Sequence, residues 1–261
     1  MDIKILVATH KKYDMPKDNM YIPLHVGCQG KQKLGYMGDN TGDNISDKNP
    51  NYCELTGLYW AYKNLKCQYI GLCHYRRYFT LKSPWKRFFH RNNKLSFILN
   101  KSETESLLEN YDIILPRKRH YYIETVRSHY DNAHNGSDLE KIYNILKSDY
   151  PEYVESYNRI MDGGSLHLYN MFVMKKENFD EYCSWLFHIL FKLEKNIDLS
   201  TYDEYQSRVF GFLSERLFNV WLDYKSMNYA EIPILNMERV HWVKKIIAFL
   251  KRKFANKLKK E

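Results

Sequence analysis

Gln68-Tyr69-Ile70-Gly71-Leu72-Cys73-His74-Tyr75-Arg76-Arg77-Tyr78-Phe79 decides the reading of this chain. The stretch begins as a short apolar strand over 68–73. Without a turn residue it then presents His74, Tyr75, Arg76, Arg77 and Tyr78. In open α/β sheets, ligands bind at the carboxyl ends of strands. Guanidinium groups are costly to bury without partners. Two adjacent arginines with flanking aromatics suit an anionic, ring-bearing ligand such as a nucleoside diphosphate. The competing reading is a structural network of arginines and carboxylates.

Working outward, Ile3 to Ala8 reads as a buried parallel strand, with Thr9, His10, Lys11 and Lys12 at its carboxyl end. Residues 27–51, rich in Gly, Asp and Asn, read as a long loop. A helix is expected over 52–64, with Leu55, Leu58, Tyr59 and Tyr62 on one face. Ser102 and Glu105 form a capping-box pattern for a helix to about Asn110. Tyr111 to Leu115 is a strand stopped by Pro116, and Arg117 to His120 follow it. Ser137 or Asp138 is expected to cap a helix to Lys147. Residues 166–174 read as a strand, and 177–194 and 202–222 as long helices. This alternation predicts an α/β fold with a mostly parallel sheet flanked by helices. The three cationic clusters, at His10–Lys12, His74–Arg77 and Arg117–His120, would share one rim.

The 261 residues, 44% hydrophobic and 27% charged, support a substantial core. The net charge of +9 is uneven. Residues 244–261 hold eight Lys and Arg against Glu261, which leaves +2 for the first 243 residues. A near-neutral body weakens any nucleic-acid reading based on overall charge. Five cysteines without a CxxC pair suggest neither a disulfide framework nor a zinc site. No window reaches 18 apolar residues and no signal-peptide pattern opens the chain, so a cytosolic location is the expectation.

Several acids are candidates for chemistry. Asp39 and Asp43 lie in Gly38-Asp39-Asn40-Thr41-Gly42-Asp43-Asn44, suited to a ribose or a metal, or else to an Asx-rich turn. His129, Asp131 and His134 cluster without a metal-ligand spacing. Glu215 beside Arg216, and Asp162 ahead of Gly163-Gly164, are candidate acid/base groups. From about Arg239 to Lys260, Val243, Ile247, Leu250, Phe254 and Leu258 recur at helical spacing among lysines. With Trp242, Lys244, Lys245, Phe249, Lys251, Arg252 and Lys253, this basic amphipathic helix suits an anionic membrane surface. The division expected is a body over 1–235 and a membrane-associating tail over 236–261. Neither G-x-x-x-x-G-K-[ST] nor G-x-G-x-x-G occurs.

The chain resembles a bacterial family of capsular and exopolysaccharide glycosyltransferases long catalogued as a domain of unknown function. The landmarks are Ile5-Leu6-Val7-Ala8-Thr9-His10-Lys11, Gly38-Asp39, Glu54-Leu55-Thr56-Gly57-Leu58-Tyr59-Trp60-Ala61 and Gly71–Phe79. Tyr169-Asn170-Met171-Phe172-Val173-Met174 and Gly211-Phe212-Leu213-Ser214-Glu215-Arg216-Leu217 complete the set. The resemblance implies a GT-A-like fold and hexosyl transfer from a UDP-sugar to a lipid-linked oligosaccharide, at the inner face of the cell membrane. It also implies donor contacts from Thr9, His10, Lys11, Asp39, Asp43, His74 and Tyr75, with Arg76 and Arg77 on the diphosphate. Acceptor contacts would come from Tyr78, Arg117, Tyr169, Asn170 and Arg216. Glu215 or Asp162 would be the base of an inverting reaction. Where GT-A enzymes carry an Asp-x-Asp metal motif, this chain has His74-Tyr75-Arg76-Arg77. No cofactor is then required, with at most a weak Mn²⁺ or Mg²⁺ dependence. The competing classes are a non-catalytic membrane-surface scaffold, a nucleic-acid-binding module and a phosphosugar transferase.

Overall fold

The computed structural model describes residues 1–89 and 94–238. The strands are β1 (Ile3–Thr9), β2 (Tyr21–His25), β3 (Met37–Gly38), β4 (Tyr69–His74), β5 (Arg77–Phe79), β6 (Ile113–Pro116), β7 (Arg119–His120), β8 (Ser165–Leu166), β9 (Phe172–Lys175), β10 (Tyr229–Ile232) and β11 (Ile234–Asn236). The helices are α1 (Asn49–Tyr52), α2 (Leu55–Asn64), α3 (Pro84–Phe89), α4 (Lys101–Leu108), α5 (Val126–Ala133), α6 (Ser137–Asp149), α7 (Val154–Asp162), α8 (Lys176–Glu194) and α9 (Val209–Lys225).

The main sheet runs β10-β6-β9-β4-β1-β2-β3. Along this path pairing is parallel except at β9, which lies antiparallel between β4 and β6; off it, β5 pairs antiparallel with β4 and β11. The fold class is therefore the one expected, a mostly parallel sheet with helices around it. Apolar side chains cover both faces. Along β1, Leu6 and Ala8 point into a core with α2, α8 and α9, while Ile3, Ile5 and Val7 join Tyr21, Phe97 and Leu99 on the other side. At Gly71 in β4, a Cβ would come within 2.8 Å of the Phe172 carbonyl oxygen, so the tight β4–β9 approach needs glycine.

Five local expectations change. The helix expected over 52–64 is split at Cys53 into α1 and α2. The capping box is Asn100 with Glu103, because the Asn100 side chain reaches the Glu103 N–H and starts α4 before Ser102. α6 opens after Gly136 with no side-chain cap, and Asp138 is buried against Tyr130 and Tyr202. The expected strand 166–174 is two strands broken at Tyr169-Asn170, both at positive φ. The expected helix at 202–222 starts at Val209, after a 3-10 turn. The boundary expected at 235 falls inside β11, which pairs with β5. The tail at 239–261, with its candidate membrane residues, lies outside the described residues. Among the described residues no helix is long and apolar enough to cross a membrane.

Candidate functional site

The β1 and β4 ends lie side by side, with Ala8 opposite His74. Beyond His74 the chain does not continue as an open strand end. It reverses at Tyr75-Arg76, and Arg77 pairs back with His74. Neither turn residue takes a positive φ, so the reversal needs no glycine. The Tyr75 N–H donates to the Ala8 carbonyl at 3.2 Å, which pins the hairpin to β1. The Tyr75 ring is buried, with one imidazole and two cations around it. His10 meets it edge-on at 5.3 Å, the Lys11 ammonium lies 5.1 Å away and the Arg76 guanidinium 5.6 Å.

A pocket of about 440 Å³ opens beside this hairpin, lined by His10, Lys31, Asn49, Cys53, Glu54, His74, Arg76 and Arg208. Among the described residues lining it, three permanent cations face one carboxylate, and Arg76 also meets Glu238 at 3.8 Å; the positive excess suits a polyanion. Burial lowers the His10 pKa, and the Lys11 and Arg76 charges lower it further. Burial lowers that of His74 too, against the pull of Glu54. His74 Nε2 lies 2.7 Å from the Tyr169 carbonyl. A carbonyl only accepts, so this nitrogen carries the proton.

Glu54 is the acid of that pocket, and the surrounding backbone is strained. Cys53, just before it, has φ 53° and ψ −131°. The Asn49 amide donates to the Cys53 carbonyl at 2.7 Å, and Arg208 Nε to its sulfur at 3.2 Å. The Asn170 amide donates to Glu54 Oε1 at 2.8 Å, while Asn170 Oδ1 accepts from the Ser214 hydroxyl. Tyr169 and Asn170 sit at φ 75° and 51°. The Tyr169 N–H donates to Glu215 Oε1 at 2.7 Å, and Arg216 Nη1 donates to Glu215 Oε2 at 3.2 Å. Each such non-glycine conformation costs about 1–3 kcal/mol and persists where its surroundings enforce it. Among the described residues four non-glycines take positive φ: Cys53 precedes Glu54, Asn170 binds it, Tyr169 precedes Asn170, and Ser226 ends α9.

The expected site residues divide accordingly. His10, His74, Tyr75 and Arg76 line the pocket, with Lys11 behind His10 on the Tyr75 ring. Arg77 stacks on the Tyr169 ring at 4.5 Å instead of lining it. Thr9 is buried and caps its own turn, its hydroxyl donating to the Lys11 carbonyl. Tyr78 is fully buried beside Met15, so it cannot meet an acceptor. Asp39 is fully buried and accepts from Gly27, Cys28, Ser46 and Thr56, which commits it to the loop. Asp43 is exposed beside Tyr59. Asp162, exposed, pairs with Arg127 and lines none of this pocket. Arg117 is exposed, and Lys118 faces a different cavity, so two of the three cationic clusters converge and the third does not. Glu215 stands behind the pocket, where burial raises its pKa against the opposing charge of Arg216. Arg216 is buried over the Tyr130 ring. Among the described residues, no group of three or more His, Cys, Asp or Glu side chains is placed to hold a metal. His134 instead meets Gln206 and stacks on Phe212. Sequence reasoning missed Glu54, Lys31 and Arg208.

The profile of a family described as "Domain of unknown function (DUF4422)" matches residues 4–226. The chain belongs to that family. Among solved structures, this DUF4422 chain is similar to the apo structure of WbbM, a bifunctional glycosyltransferase. The identity is 30% and the TM-score 0.83, over 92% of this chain and 46% of that one. The chain thus spans about half the length of that relative. No curated protein gives a match. The α/β fold expected from the resemblance is the fold of this solved relative.

Proposed function

We propose that this chain is a glycosyltransferase that moves a hexosyl group from a UDP-sugar to a hydroxyl of a lipid-linked oligosaccharide in surface-polysaccharide synthesis. The observation that carries the reading is Glu54, an acid enforced by three strained residues in a cationic pocket at the carboxyl ends of β1 and β4. The similarity to a bifunctional glycosyltransferase supports it.

In this reading the diphosphate lies against Arg76, Arg208 and Lys31. These cations stabilise the charge that develops on the leaving group. That is the work a divalent ion does in other sites, so dependence on Mn²⁺ or Mg²⁺ is weak or nil. Glu54 accepts the proton of the acceptor hydroxyl through Oε2, which meets no donor among the described residues. The acceptor oxygen bonds to the anomeric carbon as the bond to the β-phosphate oxygen breaks. The electron pair leaves on UDP, and the anomeric centre inverts. Glu215 is a positioning residue, holding Tyr169 and thereby Asn170 against Glu54. Residues 239–261 would hold the enzyme at the anionic inner face of the membrane, where the acceptor lies.

Product analysis tests the reaction class. Purified protein is incubated with UDP-sugars and membranes bearing lipid-linked oligosaccharides. Release of UDP with sugar in the lipid fraction is the expected result. Release of UMP would mark phosphosugar transfer and overturn the proposal.

A further inference from the structure

A second cavity, of about 220 Å³, lies beside the edge strand β10 and includes His167, Lys118, Ser165, Asp223 and Tyr229 in its wall. It stands three strands from β4, on the order of 14 Å across the sheet. It is therefore separate from the pocket at Glu54. A cavity of about 150 Å³ holds benzene. This one accommodates a single substituted six-membered ring.

His167 is the informative residue. It is 3% exposed and rigidly held. Its backbone N–H donates to Asn219 Oδ1 at 2.9 Å, and its carbonyl accepts from Asn219 Nδ2 at 2.8 Å. Nδ1 lies 2.7 Å from the Pro116 carbonyl, so that nitrogen carries the ring proton. Nε2 is then an acceptor, and it is buried without a hydrogen-bond partner. Glu231 Oε1 lies 3.4 Å from it. Burial keeps the ring neutral at pH 7, its pKa lowered to about 4. Two acceptors therefore face each other across 3.4 Å, an arrangement that favours a donor shared between them. Around them the Lys118 ammonium, bonded to the Tyr229 hydroxyl at 3.3 Å, offers further donors. Tyr229 is partly exposed and meets His167 edge-on, presenting an aromatic wall.

Acceptors for hydroxyl protons, an ammonium for hydroxyl oxygens and an aromatic wall together recognise a polyhydroxylated ring. We propose that this cavity is a saccharide subsite, in which a ring hydroxyl donates to His167 Nε2 and Glu231 while Lys118 donates to a neighbouring hydroxyl oxygen. Its assignment to a distal sugar of the acceptor chain rests on the glycosyltransferase reading above. The binding of a sugar ring there does not.

Saturation-transfer NMR on the full chain tests it, with methyl glycosides of glucose, galactose, mannose and N-acetylglucosamine as probes, with and without saturating UDP. At least one glycoside should give transfer that persists with UDP present. Lys118→Ala, in the cavity wall, and Glu231→Gln, beside His167 Nε2, should each weaken that binding about tenfold. His167→Gln should also weaken it, with an unchanged circular-dichroism spectrum confirming its fold. No transfer from any glycoside would overturn the subsite, as would transfer abolished by UDP or unchanged in all three variants. UDP binding, measured separately, reports on the pocket at Glu54, so failure of one site is distinguishable from failure of the other.

Discussion

The loop closing on Asp39 and the turn at Tyr169-Asn170 are both irregular and polar, yet each treats its carboxylate differently. Asp39 accepts from two backbone N–H groups and two hydroxyls. A carboxylate has about four acceptor positions, so this one is saturated. Gly27 supports it at φ 61°, where a Cβ would lie 2.3 Å from that of Asn49. At the turn, strained backbone is spent on holding Glu54 through a single bond from Asn170, which leaves the second oxygen uncommitted. Full satisfaction marks a carboxylate that holds structure. Enforced under-satisfaction in a cationic pocket marks one available for chemistry.

The difference can be broken from either side. Asp39→Ala strands three buried donors, Thr56 alone having a second acceptor in the Cys53 carbonyl, and should destabilise the protein by about 4 kcal/mol, read by urea unfolding. A loss below about 1 kcal/mol would show that the loop does not depend on it. Glu54→Gln keeps an oxygen for Asn170, so its melting temperature should stay near that of the wild type. Its turnover should fall about 10²- to 10³-fold. Glu215→Gln should show the reverse weighting, with a lower melting temperature and a loss nearer tenfold, since it acts through Tyr169. Unchanged turnover in Glu54→Gln with abolished turnover in Glu215→Gln would exchange their roles.

A third, smaller effect concerns pH. The folded His167 pKa is lowered to about 4 by burial, against an ordinary value of 6.5. The unfolded chain therefore takes up a proton that the folded chain refuses. The stability from this residue is complete above pH 6.5 and is lost progressively below it, by about 2 kcal/mol at pH 5. Thermal melts at pH 7 and pH 5 should show a larger fall for the wild type than for His167→Gln. Parallel falls would mean that His167 is not held neutral.

The strands flanking the site were legible because they are continuous apolar runs, Ile5 to Ala8 and Tyr69 to Cys73, with cations soon after them. The hairpin at Tyr75-Arg76 was not, since a turn at negative φ leaves no glycine or asparagine signal. Glu54 was hidden for a non-local reason. Its neighbours read as one helix over 52–64, but the backbone breaks at Cys53 under the grip of Asn49 and of Arg208, which is 155 residues away. Likewise, Arg77 and Tyr78 share a motif with Arg76. The strand alternation alone sends one onto Tyr169 and the other into the core.

The central claim is that a cationic pocket built on the β4–β5 hairpin binds a nucleoside diphosphate without needing a metal. Thermal-shift titration with UDP, in the presence and absence of EDTA, tests it most directly. A ligand bound by the native state alone adds about 2.7 kcal/mol at a hundredfold excess over Kd. A UDP-dependent rise in melting temperature that survives EDTA and is lost in both Arg76→Ala and Arg208→Ala is the predicted result. A rise that EDTA abolishes, or one that both variants retain, would contradict it.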